Sequence, residues 1–341
     1  MLFRFNIYSS LLLIFFVHIL VYAAMLWYRG IRKESIADKL LGSFLVVAAL
    51  FVIPWMTGFA GWYDPKFPIY REILFYTPFV HGLFFGPLLY FYVKSITNFH
   101  FKFSRRDWFH FIPALFYLLW TIIVLITDKL IVGRYFLMNG ENDPDFDSWY
   151  QWVQKLSILT YLLLSIKYYR QYKRYAFFEL SFSEAAGFGW LRNFLIAFGV
   201  ITALPVIQDI LQLFPFFANL DYIGTWYYFF SFAVVVYYIA INGYNAISIP
   251  LRRLIFEPRL LSQYRAPALL NAPGAIEDIS FEQIESNEED KFISQWKDKV
   301  NDFVKAQKIY EEPELTLSEL AKKLSTNTSL LSRVVNQAFG L

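Results

Sequence analysis

The sequence predicts an all-α protein in which a seven-helix transmembrane bundle precedes a small helix-turn-helix domain. Its 341 residues are 57% hydrophobic and 17% charged, against about 25% charged in an ordinary soluble domain. The charges are unevenly distributed, because residues 8–28 carry none and residues 277–314 carry many. We therefore predict a membrane domain at 1–245, a juxtamembrane segment with an acidic linker at 246–290, and a terminal domain at 291–341.

The membrane domain is predicted from segments long enough to cross a bilayer, which requires about 20 largely apolar residues in a helix. The first segment lacks a small-residue cleavage site after it, which favours a spanning helix over a cleaved signal peptide. The fifth segment is the most polar, and its Lys155 and Lys167 can snorkel to opposite interfaces. The predicted spans are 8–28, 40–60, 73–93, 108–127, 149–169, 193–213 and 222–243.

The loops between these spans predict the orientation of the chain. Cytoplasmic loops carry an excess of lysine and arginine, and here the basic loops alternate with loops poor in basic residues, such as the acidic loop 128–150. This alternation predicts an external N-terminus and a cytoplasmic C-terminus in the inner (cytoplasmic) membrane of the cell. Residues 99–106 and 252–265 are expected at the cytoplasmic lipid interface. The basic loops contain Arg29, Arg32, Lys33, Lys39; Lys94, Lys102, Arg105, Arg106; Lys167, Arg170, Lys173, Arg174; and Arg252, Arg253, Arg259, Arg265.

The terminal domain begins with an amphipathic helix from residue 291, followed after Pro313 by two short helices. Thr316 and Glu319 form a predicted capping box for the first short helix, and Asn327 is a suitable N-cap for the second. A small residue, Ala321, stands where two closely crossing helices would touch. The apolar contacts of this predicted helix-turn-helix are Leu320, Leu324, Leu331 and Val334.

The second short helix is expected to present a polar face to DNA. Short polar side chains together with an arginine and an asparagine suit the major groove, where arginine recognises guanine and asparagine recognises adenine. The candidate DNA-binding residues are Thr328, Ser329, Ser332, Arg333 and Asn336.

Two stretches carry a family resemblance: Pro313-x-Leu315-Thr316-Leu317-x-x-Leu320-Ala321 and Leu331-Ser332-Arg333-Val334-Val335-Asn336-x-x-Phe339-Gly340. With them, residues 291–341 resemble the start of the DNA-binding domain of the AraC family, and the whole chain resembles its membrane-anchored members. The resemblance implies one-component sensing, with promoter DNA as a partner and a homodimer favoured by half-site recognition. AraC-type domains contain two helix-turn-helix units, so it also implies a second unit after Leu341.

Polar side chains inside predicted spans are candidates for sensing a signal, because such groups are costly in a membrane. His81, Gln208 and Asp209 fall in the outer halves of their helices and form the candidate ligand pocket for an unknown small molecule or envelope signal. The alternative is that each side chain hydrogen-bonds a neighbouring helix. Prolines are expected to kink the helices at Pro54, Pro78, Pro87 and Pro205.

Composition and spacing argue against an enzyme. The chain has no cysteine and four histidines without paired spacing, so we expect no metal site. We find no phosphate-binding glycine loop and no nucleophile arrangement, and we expect no cofactor. Two hypotheses remain: a membrane-tethered transcriptional regulator, or a membrane sensor or scaffold whose terminal helices bind a protein partner without binding DNA.

Overall fold

A computed structural model describes residues 3–98, 101–138, 148–179, 188–215, 221–246, 281–306, 320–321, 323–324, 326, 331 and 334–336. Within this part of the chain all regular secondary structure is helical, as predicted, and there are no strands. The chain divides into two compact units. The first is Met1–Tyr169 with Gly189–Ile255, and the second is Arg170–Phe188 with Phe256–Leu341.

The helices are numbered along the chain, with short 3-10 or π segments at several ends. They are α1 (Ile7–Arg32), α2 (Ile36–Thr57) with a π segment at Gly58–Trp62, α3 (Pro68–Tyr76), a 3-10 turn at Gly82–Phe84, α4 (Phe85–Thr97), a 3-10 turn at Asp107–Phe111, α5 (Ile112–Leu125) with a π segment at Ile126–Val132, α6 (Ser148–Glu179), α7 (Phe188–Leu211), α8 (Asp221–Ala246) and α9 (Phe281–Ala306).

Within the described residues, five helical stretches are long and apolar enough to cross a membrane. They coincide with the first, second, fourth, sixth and seventh predicted spans. The fifth predicted span lies within α6, a continuous helix that is less apolar than these five. The five stretches are Ile7–Arg32, Ile36–Trp62, Asp107–Val132, Gly189–Leu211 and Ile223–Ala246.

The third predicted span, 73–93, is not one continuous helix, and that expectation was wrong. The helix α3 ends at Tyr76, and Thr77 is extended with φ −81° and ψ 128°. The cause is Pro78, whose ring disfavours helical geometry at the preceding residue and which has no amide hydrogen to donate. Helical structure resumes at Gly82, so the segment is a pair of helices joined by an irregular stretch.

The other three prolines disturb their helices less. Pro54 and Pro205 lie inside α2 and α7, which continue past them. Pro87 falls in the first turn of α4, where a missing amide hydrogen breaks no helical hydrogen bond.

Aromatic side chains fill the core of the first unit, where α1, α2, α4 and α8 pack together. Phe51 contacts Phe85 and Phe232 with ring centroids 5.9 and 5.1 Å apart. Gly42 lets α1 and α2 approach closely, because a Cβ atom there would lie 2.4 Å from Cδ1 of Trp27. In contrast, most large apolar side chains of α5 are exposed, as a lipid-facing helix requires.

The second unit has its own apolar cluster. Ile293 and Val300 on α9 are buried with Ala321, Leu324, Leu331 and Val334. The amide of Thr326 donates to the carbonyl of Ala321 at 2.9 Å. Residues 307–319 and 327–330 lie outside the described residues, and so do the predicted capping residues Thr316, Glu319 and Asn327.

The first helix of this unit begins earlier than predicted. The helix α9 starts at Phe281 and not at 291, so the end of the predicted acidic linker is helical. The sequence is acidic where this helix begins, and acidic residues are favourable near the N-terminus of a helix because of its dipole. The remainder of the predicted linker, residues 247–280, lies outside the described residues.

Candidate functional site

The irregular stretch between α3 and α4 holds His81 in a buried position. Its side chain is 7% exposed, and its ring packs edge-to-face against Phe84 and Tyr117 at 6.2 and 5.9 Å. Among the described residues, neither ring nitrogen has a hydrogen-bond partner of acceptable geometry, although the carbonyl of Pro78 lies near the ring. A buried imidazole without partners is unfavourable, and it is available to a ligand that brings a donor or an acceptor.

The helix α6 passes close to this histidine because two glycines on the α4 side leave room for it. A Cβ atom on Gly82 would lie 2.1 Å from the side chain of Gln154, and one on Gly86 would lie 2.4 Å from the ring of Tyr161. On the same helix, Tyr150 is stacked on Tyr117 with centroids 3.7 Å apart. The break and α5 therefore place aromatic rings against His81, and α6 packs beside it, against Gly82 and Tyr117.

Asp209 of the predicted pocket is engaged in an ion pair that sequence reasoning missed. Its carboxylate accepts a hydrogen bond from Nζ of Lys155, which joins the C-terminal part of α7 to the N-terminal part of α6. Opposite charges at the outer ends of two predicted spans could have indicated this pair. The neighbouring Gln208 is half-buried. Among the contacts of the described residues, none joins His81 to Gln208 or Asp209.

A second buried carboxylate was also missed. Asp128 is fully buried in the π segment after α5, and it accepts hydrogen bonds from the Tyr76 hydroxyl at 3.1 Å and from the amides of Phe136, Leu137 and Met138 at 3.2, 2.9 and 3.1 Å. It thereby fixes the loop after α5 against the end of α3. From sequence, Asp128 was expected at the start of the acidic loop 128–150, because nothing in the sequence indicates the π segment in which this side chain is buried.

A cluster of Arg29, Asp38 and Tyr244 joins the helices α1, α2 and α8. Arg29 donates from Nε and one terminal nitrogen to both carboxylate oxygens of Asp38, each at 2.9 Å. Its other terminal nitrogen donates to the carbonyl of Tyr244 at 2.6 Å, and the guanidinium lies 4.4 Å from that tyrosine ring. The Arg29 and Asp38 side chains are 11% and 1% exposed. The last turns of α8 are thus tied to the α1–α2 hairpin.

Of the five candidate DNA-binding residues, only one lies within the described part of the chain. Asn336 is helical and exposed. Thr328, Ser329, Ser332 and Arg333 lie outside the described residues.

A surface groove runs between α9 and the helix that contains Ala321. Its charged groups are of both signs, and Phe303 and Leu324 supply its apolar part. It is lined by Gln295, Asp298, Lys299, Asp302, Phe303, Lys323 and Leu324. This charge balance does not match a nucleic-acid phosphate backbone.

The described residues contain no group of three or more His, Cys, Asp or Glu side chains that could hold a metal ion. No protein-family model, curated protein or solved structure matches the chain.

Proposed function

We propose that this protein is a membrane-tethered transcriptional regulator, in which a signal at the transmembrane domain alters DNA binding by a cytoplasmic AraC-type helix-turn-helix. The packing of the second unit supports the proposal most directly. The small residue and three of the four apolar residues expected at a helix-turn-helix crossing, Ala321, Leu324, Leu331 and Val334, are buried against α9. Asn336 remains exposed on the side that would face DNA.

The proposed membrane domain has seven spans, with an external N-terminus. Its third span is the broken pair α3–α4, whose irregular stretch is tolerable in a bilayer where protein covers it, and His81 and Leu83 are buried there. Its fifth span is α6, where pairing of Lys155 with Asp209 reduces the cost of placing an ammonium group near the membrane. An odd number of spans then puts the terminal domain in the cytoplasm of the cell, where promoter DNA is found.

The sensing site that we propose centres on His81. Its unpaired ring nitrogens could bind a small molecule or envelope component that carries a hydrogen-bonding group and an apolar body. Gln208 and Asp209 belong to the same outer end of the bundle, where Asp209 contributes by fixing α6 through Lys155. A ligand bound beside His81 would therefore act on α6 and on the α3–α4 break together.

Chromatin immunoprecipitation of the complete, N-terminally tagged gene product tests the DNA-binding proposal. We expect enrichment of discrete promoter fragments by the wild type and its loss in Arg333→Glu. The control Lys305→Glu makes the same charge change on an exposed position of α9 and should retain the enrichment. Equal membrane levels of the three proteins must be verified by fractionation. Absence of enrichment by the wild type, or its survival in Arg333→Glu, would reject the proposal.

A second candidate function is favoured by the surface groove of the second unit. Its mixture of charges around Phe303 and Leu324 resembles a protein-binding surface more than a nucleic-acid surface. Under this alternative, the terminal helices of a membrane sensor or scaffold bind a protein partner. Charge reversal of Asp298 and Asp302 would then abolish signalling, whereas Arg333→Glu would leave it intact.

A further inference from the structure

The turn between α4 and α5 has a fixed shape. The carboxylate of Asp107 accepts hydrogen bonds from the amide and the hydroxyl of Ser104 at 2.8 and 2.9 Å. The amide of Asp107 in turn donates to the carbonyl of Ser104 at 3.1 Å. On the inner side, Phe103 packs against Phe91 with ring centroids 5.0 Å apart, and Phe101 is buried. Hydrogen bonds and aromatic packing therefore hold the turn on the end of the bundle.

The carboxylate of Asp107 in this turn is paired with a lysine of α4. Nζ of Lys94 lies 3.7 Å from a carboxylate oxygen of Asp107. The other three basic side chains, Lys102, Arg105 and Arg106, are exposed, and none of them makes an ion pair or side-chain hydrogen bond with the described residues. Within the part of the chain that the structure describes, the turn thus presents three positive charges without an anionic partner.

Two large aromatic side chains stand beside these charges. Trp108 is 59% exposed and Phe109 is 67% exposed, at the start of the apolar stretch Asp107–Val132. Tryptophan is favoured at the boundary between headgroups and acyl chains, and a guanidinium binds phosphate oxygens in a bidentate manner. Exposed cations and rings at the end of a candidate span match the chemistry of a phospholipid, which joins a phosphate to an apolar chain.

We propose that residues 101–109, the basic-aromatic turn, bind the phosphate headgroup of an anionic phospholipid. Arg105 and Arg106 contact the headgroup, and Trp108 and Phe109 enter the layer beneath it. The expectation from sequence was an interfacial location, and the proposed site adds a lipid class and the residues that select it. It depends on Asp107–Val132 spanning the bilayer and is independent of DNA binding, so the two proposals can fail separately.

The test is titration of the detergent-purified full chain with a short-chain phosphatidylglycerol and, separately, with the matching phosphatidylcholine. We expect the wild type to bind phosphatidylglycerol more tightly, and Arg105→Gln with Arg106→Gln to weaken this binding by about tenfold. The control pair Arg32→Gln with Lys33→Gln removes the same charge from two adjacent exposed residues at the end of α1, where no exposed tryptophan follows, and should leave binding unchanged. Thermal unfolding verifies that each variant is folded.

Two further measurements identify the ligand. Phe109→Ala should weaken binding of phosphatidylglycerol but not its preference over phosphatidylcholine, because the ring contacts the acyl layer. Inorganic phosphate and duplex DNA, added as competitors, should not displace the lipid. Equal loss of binding in both charge-neutralised pairs would show a general charge effect and overturn the proposal. So would displacement by free phosphate or DNA, or no change in the Arg105 and Arg106 variant.

Discussion

At the scale of single residues, the first unit contains buried polar side chains that differ in the number of hydrogen bonds they make. Asp128 accepts four hydrogen bonds, whereas the two ring nitrogens of His81 accept or donate none of acceptable geometry. A buried group with all its partners stabilises the fold, and one without partners destabilises it. The two side chains should therefore respond in opposite ways to substitution.

Substitution of Asp128 by asparagine should destabilise the protein by about 2–4 kcal/mol, because it removes a charged acceptor and turns an NH2 group towards donors. Tyr76→Phe removes only one of the four donors and should cost about 1–2 kcal/mol. Thermal unfolding of the detergent-purified protein measures both. Equal stability of Asp128→Asn and the wild type would show that the carboxylate does not hold the loop after α5.

Substitution of His81 by phenylalanine should leave the unliganded protein folded and raise its stability by about 1 kcal/mol, since it removes two unpaired polar atoms from an aromatic environment. The same variant should lose its response to the signal in a promoter assay. His110→Phe is the contrasting change, because Nδ1 of His110 lies 2.8 Å from the Tyr161 hydroxyl, and here we expect a loss of stability. A destabilised His81→Phe would mean that the imidazole has a partner.

At the scale of helices, the sequence predicted the position of a helix correctly where a segment is uniformly apolar. It did not predict features that depend on backbone geometry or on one pair of side chains. Five of the predicted spans coincide with long apolar helices, because length and composition alone define them. A kink was expected at Pro78, and the structure shows a complete break there, after Tyr76. The π segments at Gly58–Trp62 and Ile126–Val132 have no such signal, so the inward turn of Asp128 was beyond prediction.

Two ion pairs of the first unit differ in burial, and this difference predicts how much each contributes to stability. The Arg29–Asp38 pair is buried, whereas in the Arg4–Asp64 pair the side chains are 56% and 23% exposed and the charged atoms lie 3.4 Å apart. Removing one partner from a buried pair leaves an uncompensated charge, whereas an exposed pair loses little because water and salt already screen it.

Asp38→Asn should therefore cost about 3 kcal/mol of stability, because the guanidinium of Arg29 then has only neutral acceptors, the Tyr244 carbonyl and one amide oxygen, for its buried charge. The matched change Asp64→Asn should cost less than about 1 kcal/mol. Thermal unfolding in detergent at two salt concentrations distinguishes them. Similar effects of the two changes would contradict the burial of the Arg29–Asp38 pair.

At the scale of the whole molecule, the proposed orientation can be tested directly because the chain contains no cysteine. A single cysteine introduced at Arg134, an exposed position after α5, should react with a membrane-impermeant maleimide in intact cells. A single cysteine at Asn245, exposed at the end of α8, should react only after the membrane is permeabilised. Labelling of both positions in intact cells would contradict seven spans with an external N-terminus.

In the second unit, the sequence predicted both buried residues and candidate DNA contacts. Ala321, Leu324, Leu331 and Val334 were predicted as contacts at the crossing of a helix-turn-helix, and all four are buried. The candidate DNA contacts came from their position on the second helix, and of these the described residues include only Asn336. The ion pair of Lys155 with Asp209 was missed because neither span by itself requires it.

The packing of α8 against α1, which is far away in sequence, has a consequence for the order of assembly during synthesis. Arg29 reaches the carbonyl of Tyr244 across 215 residues of sequence, and Trp226 donates to the carbonyl of Tyr8 across 218. At a translation rate of about 5–20 residues per second, α8 is synthesised roughly 10–40 s after α1, the helix whose two ends it contacts. Until α8 is made, one terminal nitrogen of Arg29 lacks the Tyr244 carbonyl, and the first turn of α1 lacks its contact with the Trp226 indole. The bundle is therefore complete only once α8, the last of its helices to be synthesised, has packed against both ends of the first.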